Sequence, residues 1–135
     1  MRLAVTGGTG FVGQHLMRLA VAAGHSVAAL ARSPQSPGPG VDWVMGDLLA
    51  PVIPDELCRG ADAVIHVGGI INPRRPAEFY EANVGGTERM ILAANRARVH
   101  RFIHVSSLAA REPALSQYGA SKAASEALFD GSGLA

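Results

Sequence analysis

The chain has few of the residues that would mark it as a secreted, metal-binding or membrane protein. Its single cysteine, Cys58, cannot form an internal disulfide and lacks the companions of a zinc site. Lysine also occurs once, at Lys122, so arginine carries nearly all of the positive charge. No apolar run approaches the ~20 residues that span a bilayer, and the N-terminus lacks the organisation of a signal peptide. We therefore expect a soluble protein of the reducing cytoplasm.

Charge balance and size favour a single domain. The 135 residues carry a formal net charge of +1, which gives no reason to expect nucleic acid or a membrane as a partner. Hydrophobic residues make up 48% of the chain, enough to bury a single core. No spacing among the histidines and acids makes a metal site, and His66 and His104 fall inside predicted strands, where we expect packing or local hydrogen bonds. We predict one domain over residues 1–135, without a metal.

Short apolar runs alternate with longer helical patterns, which is typical of βαβ units and a parallel sheet. The predicted strands are Arg2–Thr6, Ser26–Ala31, Val41–Met45, 62–67 and 101–106. The predicted helices cover 11–23, a short stretch around 55–59, 76–98 and 117–129. Right-handed crossovers then give an α/β fold with a Rossmann-type, doubly wound sheet of strand order 3-2-1-4-5, which binds ligands at the carboxyl ends of its strands.

Five strands make an apparently truncated sheet. The chain stops where a sixth strand is expected to begin, and the fifth strand would form an apolar edge with nothing to cover it. We therefore expect the sequence to be a fragment of a longer protein.

Three glycines stand directly between the first predicted strand and the first predicted helix. Gly7, Gly10 and Gly13 form G-x-x-G-x-x-G, a spacing that permits a tight turn and lets the backbone approach a pyrophosphate. The helix N-terminus would add free N–H groups and a partial positive charge. No Gly-Lys-Ser/Thr follows, which excludes a P-loop. The motif predicts a dinucleotide site, against the alternative of a glycine-rich turn that binds nothing.

The end of the second predicted strand bears on which dinucleotide is bound. A chain that selects NAD usually has Asp or Glu there, accepting hydrogen bonds from the ribose 2′-OH. This chain has Arg32 followed by Ser33, a cation and a hydroxyl that suit a 2′-phosphate. We expect NADP as the preferred cofactor, with NAD or a merely solvated Arg32 as the alternatives.

Six motifs follow one another in the order in which one enzyme family carries them. They are TGGTGFVG at 6–13, GDL at 46–48, DAVIHVGG at 62–69, NVGGT at 83–87, VSS at 105–107 and YGASK at 118–122. Over its whole length the chain resembles the N-terminal part of the extended short-chain dehydrogenase/reductase family, also known as the NAD-dependent epimerase/dehydratase family. One departure is Gly68, where that family more often has alanine.

The resemblance implies further cofactor contacts. Phe11 and Val12 would lie over the pyrophosphate turn. The other implied contacts are Asp47 and Leu48 with adenine, Gly68 beside the cofactor, and Asn83 with the cofactor or its surroundings. Some have a structural alternative, because Asp47 could cap a helix and Asn83 could satisfy local backbone groups.

Tyr118 and Lys122 are four residues apart on a predicted helix and therefore share one face. A tyrosine with an ordinary pKa of ~10 is a poor base at neutral pH, and a neighbouring ammonium lowers that pKa by stabilising the phenolate. The resemblance makes Tyr118 the catalytic acid/base and has Lys122 bind the nicotinamide ribose as well. It assigns the substrate oxygen to Ser107, whereas strand alternation puts Ser106 on the opposite face.

The motifs together predict an NAD(P)-dependent oxidoreductase or an epimerase/dehydratase that moves hydride between nicotinamide and a carbonyl or alcohol carbon. The complete Ser107, Tyr118 and Lys122 set favours an enzyme. The alternatives are a non-catalytic NADP(H)-binding sensor or structural subunit, and a fragment that is inactive by itself. The resemblance also implies a small-molecule substrate, a C-terminal substrate region that is absent here, and a homodimer built through the last two helices.

Overall fold

Five parallel strands form the centre of the fold in a computed structural model that describes residues 1–134. The strands are β1 (Arg2–Thr6), β2 (Ser26–Ala31), β3 (Val41–Met45), β4 (Ala63–His66) and β5 (Arg101–His104). Their order across the sheet is β3-β2-β1-β4-β5, and every pair is parallel. The Rossmann-type strand order predicted from the sequence is confirmed.

Helices connect the strands near the predicted places. They are α1 (Phe11–Ala22), α2 (Ile53–Cys58), α3 (Ala77–Phe79), α4 (Gly86–Arg96) and α5 (Gln117–Ala127). The predicted helix over 76–98 is one helical run in which a π-helical turn, Tyr80–Gly85, separates α3 from α4. Two 3-10 turns that the sequence did not predict, Leu108–Arg111 and Pro113–Leu115, precede α5. Within residues 1–134 no helix is both long enough and apolar enough to cross a membrane.

The sheet buries both of its faces, which explains why its strands are nearly continuous apolar runs. Successive residues of a strand point to opposite faces, so Ala4 belongs to one core and Val5 to the other. The first core packs against α2 and α4 through the fully buried Leu57 and Met90. The second packs against α1 through Met17. These two layers fix the strand ends at which the candidate site is built.

The strands β4 and β5 end earlier than predicted, at His66 and His104. Past His66 the chain leaves the ladder, because the Gly68 N–H donates to the Thr6 hydroxyl at 2.9 Å instead of to a neighbouring strand. The early end of β4 therefore brings the Gly68 backbone onto the carboxyl end of β1, where ligands bind in sheets of this order.

The turn after β1 leaves no space for side chains at two of its glycines. Gly7 has φ +70, a left-handed conformation that favours glycine, and a Cβ there would lie 2.8 Å from the Gly68 nitrogen. A Cβ on Gly13 would lie 2.1 Å from the Gly7 carbonyl oxygen. The first turn of α1 consequently packs directly on the backbone that leaves β1.

We expect Gly13→Ala to lower the free energy of unfolding by about 1–3 kcal/mol, because a clash with backbone atoms cannot be relieved by a change of rotamer. Gly38→Ala is the matched control, since a Cβ at Gly38 meets no atom within 4 Å and an exposed substitution changes stability by less than about 0.5 kcal/mol. Urea denaturation of both variants measures the difference. Equal stabilities would contradict the close packing at this turn.

Candidate active site

An open cleft of about 370 Å³ crosses the carboxyl ends of the central strands. Its volume lies within the range of small-molecule sites, roughly 300–1,000 Å³. Five of the residues predicted to contact a cofactor line it, namely Gly7, Arg32, Asp47, Leu48 and Gly68. In the part of the chain that the structure describes, no group of three His, Cys, Asp or Glu side chains could hold a metal ion.

The remaining predicted phosphate contacts, Gly10, Phe11, Val12 and Gly13, lie at the N-terminus of α1. The first backbone bond of this helix runs from the Gln14 N–H to the Gly10 carbonyl at 2.9 Å. The N–H groups between these two residues precede the helical ladder, so they are available to an anion at the positive end of the helix dipole. The exposed Phe11 and Val12 side chains flank this position.

The turn predicted to contact adenine is held by local bonds and by α4. The Asp47 carboxylate accepts from the Leu49 N–H at 2.8 Å, so part of its bonding capacity serves the turn itself. Leu48 packs against α4, where a Cβ on Gly86 would lie 2.8 Å from a methyl carbon of Leu48. Arg89, one turn further along α4, donates to the Leu49 carbonyl. Helix α4 therefore sets the distance of this turn from the rest of the cleft.

Arg32 enters the cleft with its charge uncompensated. It follows β2 directly, is exposed and lines the cleft wall. Among residues 1–134 no acid forms an ion pair with it. Glu78 and Glu81, which also line the cleft, are instead paired with Arg75 at 3.5 Å and 3.1 Å. The cleft thus presents one free guanidinium at the end of β2.

Several lining residues were not singled out by the sequence. Thr6, Thr9, Ile70, Glu78 and Glu81 all line the cleft. The two threonines lie inside or beside the glycine motif, and that position is the signal that could have identified them. The two glutamates reach the cleft only because the chain after β4 leads into α3 beside it, and no local pattern reports that approach.

The N-terminus of α5 is fastened to the segment that follows β5. The Ser116 hydroxyl caps the helix by accepting from the Gly119 N–H at 2.9 Å. Gly119 then approaches the first 3-10 turn so closely that a Cβ on it would lie 2.5 Å from the Ala109 carbonyl oxygen. Tyr118, the neighbour of this glycine, is half-buried, and its ring centroid lies 5.9 Å from that of Phe79.

Lys122, the only lysine of the chain, is buried. Its Nζ donates to the Val105 carbonyl at 2.9 Å, just past the end of β5. Burial lowers the pKa of this ammonium, and the carboxylate of Glu126 opposes that shift. Ser107 lies two residues after Val105, and its hydroxyl accepts from the Ala109 N–H at 3.2 Å. Lys122 and Ser107 therefore lie at the carboxyl end of β5, Tyr118 contacts Phe79, and none of the three lines the cleft itself.

Asn83 joins the cleft wall to α5. Its side-chain oxygen accepts from the Ile70 N–H at 2.8 Å, and its Nδ2 donates to the Ile70 carbonyl at 3.2 Å. The same Nδ2 donates to the Ser121 hydroxyl at 3.0 Å, and that hydroxyl donates to the Tyr118 carbonyl at 2.8 Å. The structure thus places Asn83 behind the cleft wall, where it satisfies local backbone groups and orients the surroundings of the cleft.

The buried His66 and the half-buried His104 lie beneath the site. The rings of His66 and His104 stack with centroids 5.5 Å apart. Burial, aided by the positive charge of Lys122, lowers the pKa of His66 to about 3 and that of His104 to about 4. Both rings hydrogen-bond to hydroxyls of the packed helices, at Thr87 and Ser125. The local hydrogen bonding expected for these histidines is present.

The fold and the cleft define a dinucleotide-binding protein of the Rossmann type. A turn too tight for side chains, the free N–H groups of α1 and the unpaired guanidinium of Arg32 fit the pyrophosphate and ribose of such a ligand. The model of the NAD dependent epimerase/dehydratase family matches residues 3–132, and the chain therefore belongs to that family.

Relatives of this family are longer than the chain. The chain is 45% identical over 128 residues to ceramide reductase from Caulobacter vibrioides, an alignment that covers 92% of the chain and 40% of the relative. It is 38% identical over 112 residues to the 4-hydroxy-2-methyl-3-oxo-4-farnesyl-3,4-dihydroquinoline-1-oxide ketoreductase of Stigmatella aurantiaca, covering 79% and 34%. A short-chain dehydrogenase/reductase superfamily protein from Agrobacterium tumefaciens, solved with bound NAD, aligns with a TM-score of 0.85 and 27% identity, covering 95% and 44%. The chain spans less than half the length of each.

We expect the free energy of unfolding to fall as the pH is lowered from about 6.5 towards 4. An unfolded His66 has an ordinary pKa near 6.5, whereas the folded one has a pKa of about 3, so within this window the unfolded chain binds a proton that the folded chain does not. Urea denaturation at a series of pH values measures the slope. His66→Gln should make it shallower by up to about 1.4 kcal/mol per pH unit. The same slope in His66→Gln as in the exposed-site control His100→Gln would contradict the buried neutral state.

Proposed function

We propose that the chain forms the cofactor-binding and catalytic part of an NADP(H)-dependent reductase that converts a ketone to an alcohol. One observation carries the proposal: a buried lysine on the first turns of α5 reaches the carboxyl end of β5, beside a cleft that fits a dinucleotide. Tyr118 shares its helix face, and Ser107 leaves the same strand end. A module that only binds a nucleotide has no need of the tyrosine.

The three side chains would divide the reaction among them. NADPH, when bound in the cleft, would supply the hydride for the carbonyl carbon. Tyr118 donates its phenolic proton to the carbonyl oxygen and is left as a phenolate, which takes up a proton from solvent. Because the Ser107 oxygen accepts from the Ala109 N–H, its own O–H remains free to hold the substrate oxygen. Because Lys122 gives one of its three protons to Val105, two remain for the phenol oxygen and the nicotinamide ribose.

The proposed role of Tyr118 depends on the buried ammonium of Lys122. Lowering the pKa of a tyrosine from ~10 to ~7 requires about 4 kcal/mol of differential stabilisation. A buried ammonium has lost much of its hydration, so a phenolate nearby stabilises the lysine as much as the lysine stabilises the phenolate. The lowered pKa of Lys122 has the same origin, since burial holds the ammonium away from water.

The substrate that we propose is a ketone joined to an apolar chain or ring. One relative is named as a ketoreductase of a farnesyl-substituted dihydroquinoline oxide and another as a ceramide reductase, and both named compounds carry apolar chains. In this chain the segments that leave β4 and β5 carry exposed apolar side chains, at Ile71, Leu108 and Leu115. Exposed apolar side chains beside the carboxyl edge suit a hydrocarbon group better than a sugar nucleotide.

NADP is the cofactor that we propose, because Arg32 offers an unpaired cation where a 2′-phosphate would lie and no carboxylate follows β2. The related protein from Agrobacterium tumefaciens was solved with bound NAD, so NAD is the competing candidate. The two cofactors differ at this position only by the phosphate, which makes Arg32 the residue to test.

Epimerisation or dehydration is the second candidate function, and the family to which the chain belongs favours it by name. The same three side chains serve that chemistry if the cofactor is reoxidised before it leaves. Stoichiometry separates the candidates, because a reductase consumes one NADPH per product whereas an epimerase or dehydratase shows no net consumption.

We also propose a cytoplasmic homodimer. Helices α4 and α5 from two copies would form a four-helix interface, and the half-exposed Leu92 on α4 gives that surface an apolar contact point.

We expect Tyr118→Phe to lower turnover by at least about 10²-fold, because general acid catalysis contributes roughly 10²–10⁴-fold, while NADPH affinity changes by less than about twofold. The control is Tyr80→Phe, which alters the other tyrosine of the chain at an exposed position. Turnover and dinucleotide binding are measured side by side on this chain and on any longer native form. Undiminished turnover in Tyr118→Phe would contradict the assignment, and NADPH binding without turnover in the unaltered protein would favour a binding module.

We expect Arg32→Gln to reduce the preference for NADPH over NADH by at least about tenfold, the equivalent of ~1.4 kcal/mol, because the 2′-phosphate loses a charge-assisted hydrogen bond. Arg59→Gln removes an exposed arginine that does not line the cleft and serves as the control. Titration calorimetry with both cofactors gives the ratio of dissociation constants. An unchanged ratio in Arg32→Gln would leave the preference without its proposed cause.

A further inference from the structure

A continuous chain of hydrogen bonds joins β1, β4 and α4 beneath the cleft. The Gly68 N–H donates to Thr6 Oγ1 at 2.9 Å, and Thr6 Oγ1 lies 2.6 Å from His66 Nδ1. On the other side of the ring, His66 Nε2 lies 3.0 Å from Thr87 Oγ1, which donates to the Asn83 carbonyl at 2.7 Å. Thr6, His66, Asn83 and Thr87 are each at most 1% exposed. Water therefore has little access to these four side chains.

The number of protons fixes the direction of every bond in this chain. Thr87 has one hydroxyl proton and gives it to the Asn83 carbonyl, so towards His66 it can only accept. His66 Nε2 must then carry the ring proton, and Nδ1 of the neutral ring becomes an acceptor for the Thr6 hydroxyl. Thr6 in turn accepts from Gly68 with a lone pair. A single tautomer of a neutral His66 satisfies the whole chain, in agreement with its strongly lowered pKa.

The two ends of this hydrogen-bond chain reach the two halves of the candidate site. Thr6 and Gly68 line the cleft directly. At the other end, the side chain of Asn83 holds Ile70 of the cleft wall and Ser121 of the catalytic helix. His66 is therefore the link between the turn that faces the dinucleotide and the π-helical turn that faces α5.

We propose that His66 is a positioning residue that uses its Nε2–H tautomer to hold the cofactor-facing Thr6–Gly68 contact in register with Asn83 and α5. The role rests on the proposed function in one respect, since it requires a dinucleotide in the cleft. His66 touches neither cofactor nor substrate and acts only through the two threonines. Loss of the hydrogen bond to Thr87 should therefore weaken dinucleotide binding in the cleft, although Thr87 does not line the cleft.

The test uses Thr87, where a change of one group removes the link at nearly constant shape. Thr87→Val deletes the hydroxyl, and Thr87→Ser restores it. We expect Thr87→Val to raise the dissociation constant for NADPH by about three- to tenfold, the loss that one hydrogen bond typically causes, and Thr87→Ser to bind NADPH like the unaltered chain. Leu57→Val, a fully buried change on α2 that does not line the cleft, serves as the control for general destabilisation.

A spectroscopic readout accompanies the binding measurement. In the unaltered chain, ¹⁵N NMR of the histidine rings should show His66 neutral with its proton on Nε2, and NADPH should shift this signal. Normal NADPH affinity in Thr87→Val, at a stability no higher than that of Leu57→Val, would overturn the positioning role, as would a proton on Nδ1. An unaltered chain that binds no NADPH would instead reject the proposed function and this role together, so the two failures are distinguishable.

Discussion

The site depends on how closely three backbone segments approach one another at the carboxyl end of β1. A Cβ on Gly7 would lie 2.8 Å from the Gly68 nitrogen, and a Cβ on Gly13 would lie 2.1 Å from the Gly7 carbonyl oxygen. This contact presses the N-terminus of α1 and the segment after β4 against the same turn. The free N–H groups of α1 and the walls of the cleft owe their positions to it, because any larger residue at these glycines would push the segments apart.

Electrostatics complements this packing on the other side of the site. Within the described residues, the buried Lys122 lies near two histidines that remain neutral because burial disfavours their protonation. A protonated His66 or His104 would repel the ammonium that the proposed mechanism needs. Because both histidines are neutral, they do not repel Lys122, and the carboxylate of Glu126 opposes the lowering of its pKa by burial. The histidines beneath the site thus preserve the charge that would stabilise a phenolate.

Much of the fold could be predicted because its signals are local. The runs that became β1, β2 and β3 and the glycines before α1 are contiguous in the sequence, and the crossover rule supplied the strand order. The boundaries that differed depend on distant contacts. β4 ends at His66 because Gly68 bonds to Thr6, which is 62 residues away in the sequence.

The candidate site likewise contains residues that local motifs predict and residues that only distant contacts bring together. Residues inside motifs, such as Gly7, Asp47 and Gly68, were expected at a cofactor site and do line the cleft. The π-helical turn around Asn83 and the approach of Glu78 and Glu81 to the cleft were not foreseen, since they follow from the packing of the chain after β4 against α5. The links through His66 also cannot be found by motif analysis, because they join side chains on three separate elements, β1, β4 and α4.

The proposed position of the cofactor is tested most directly by a crystal structure of the protein with NADPH. The account predicts that the pyrophosphate lies at the N–H groups of Phe11 and Val12 and that the 2′-phosphate lies beside Arg32. It also predicts a nicotinamide ribose within hydrogen-bond distance of Lys122, with the nicotinamide ring next to the Tyr118 hydroxyl. A dinucleotide bound away from the glycine turn, or one whose nicotinamide lies far from Tyr118, would contradict it.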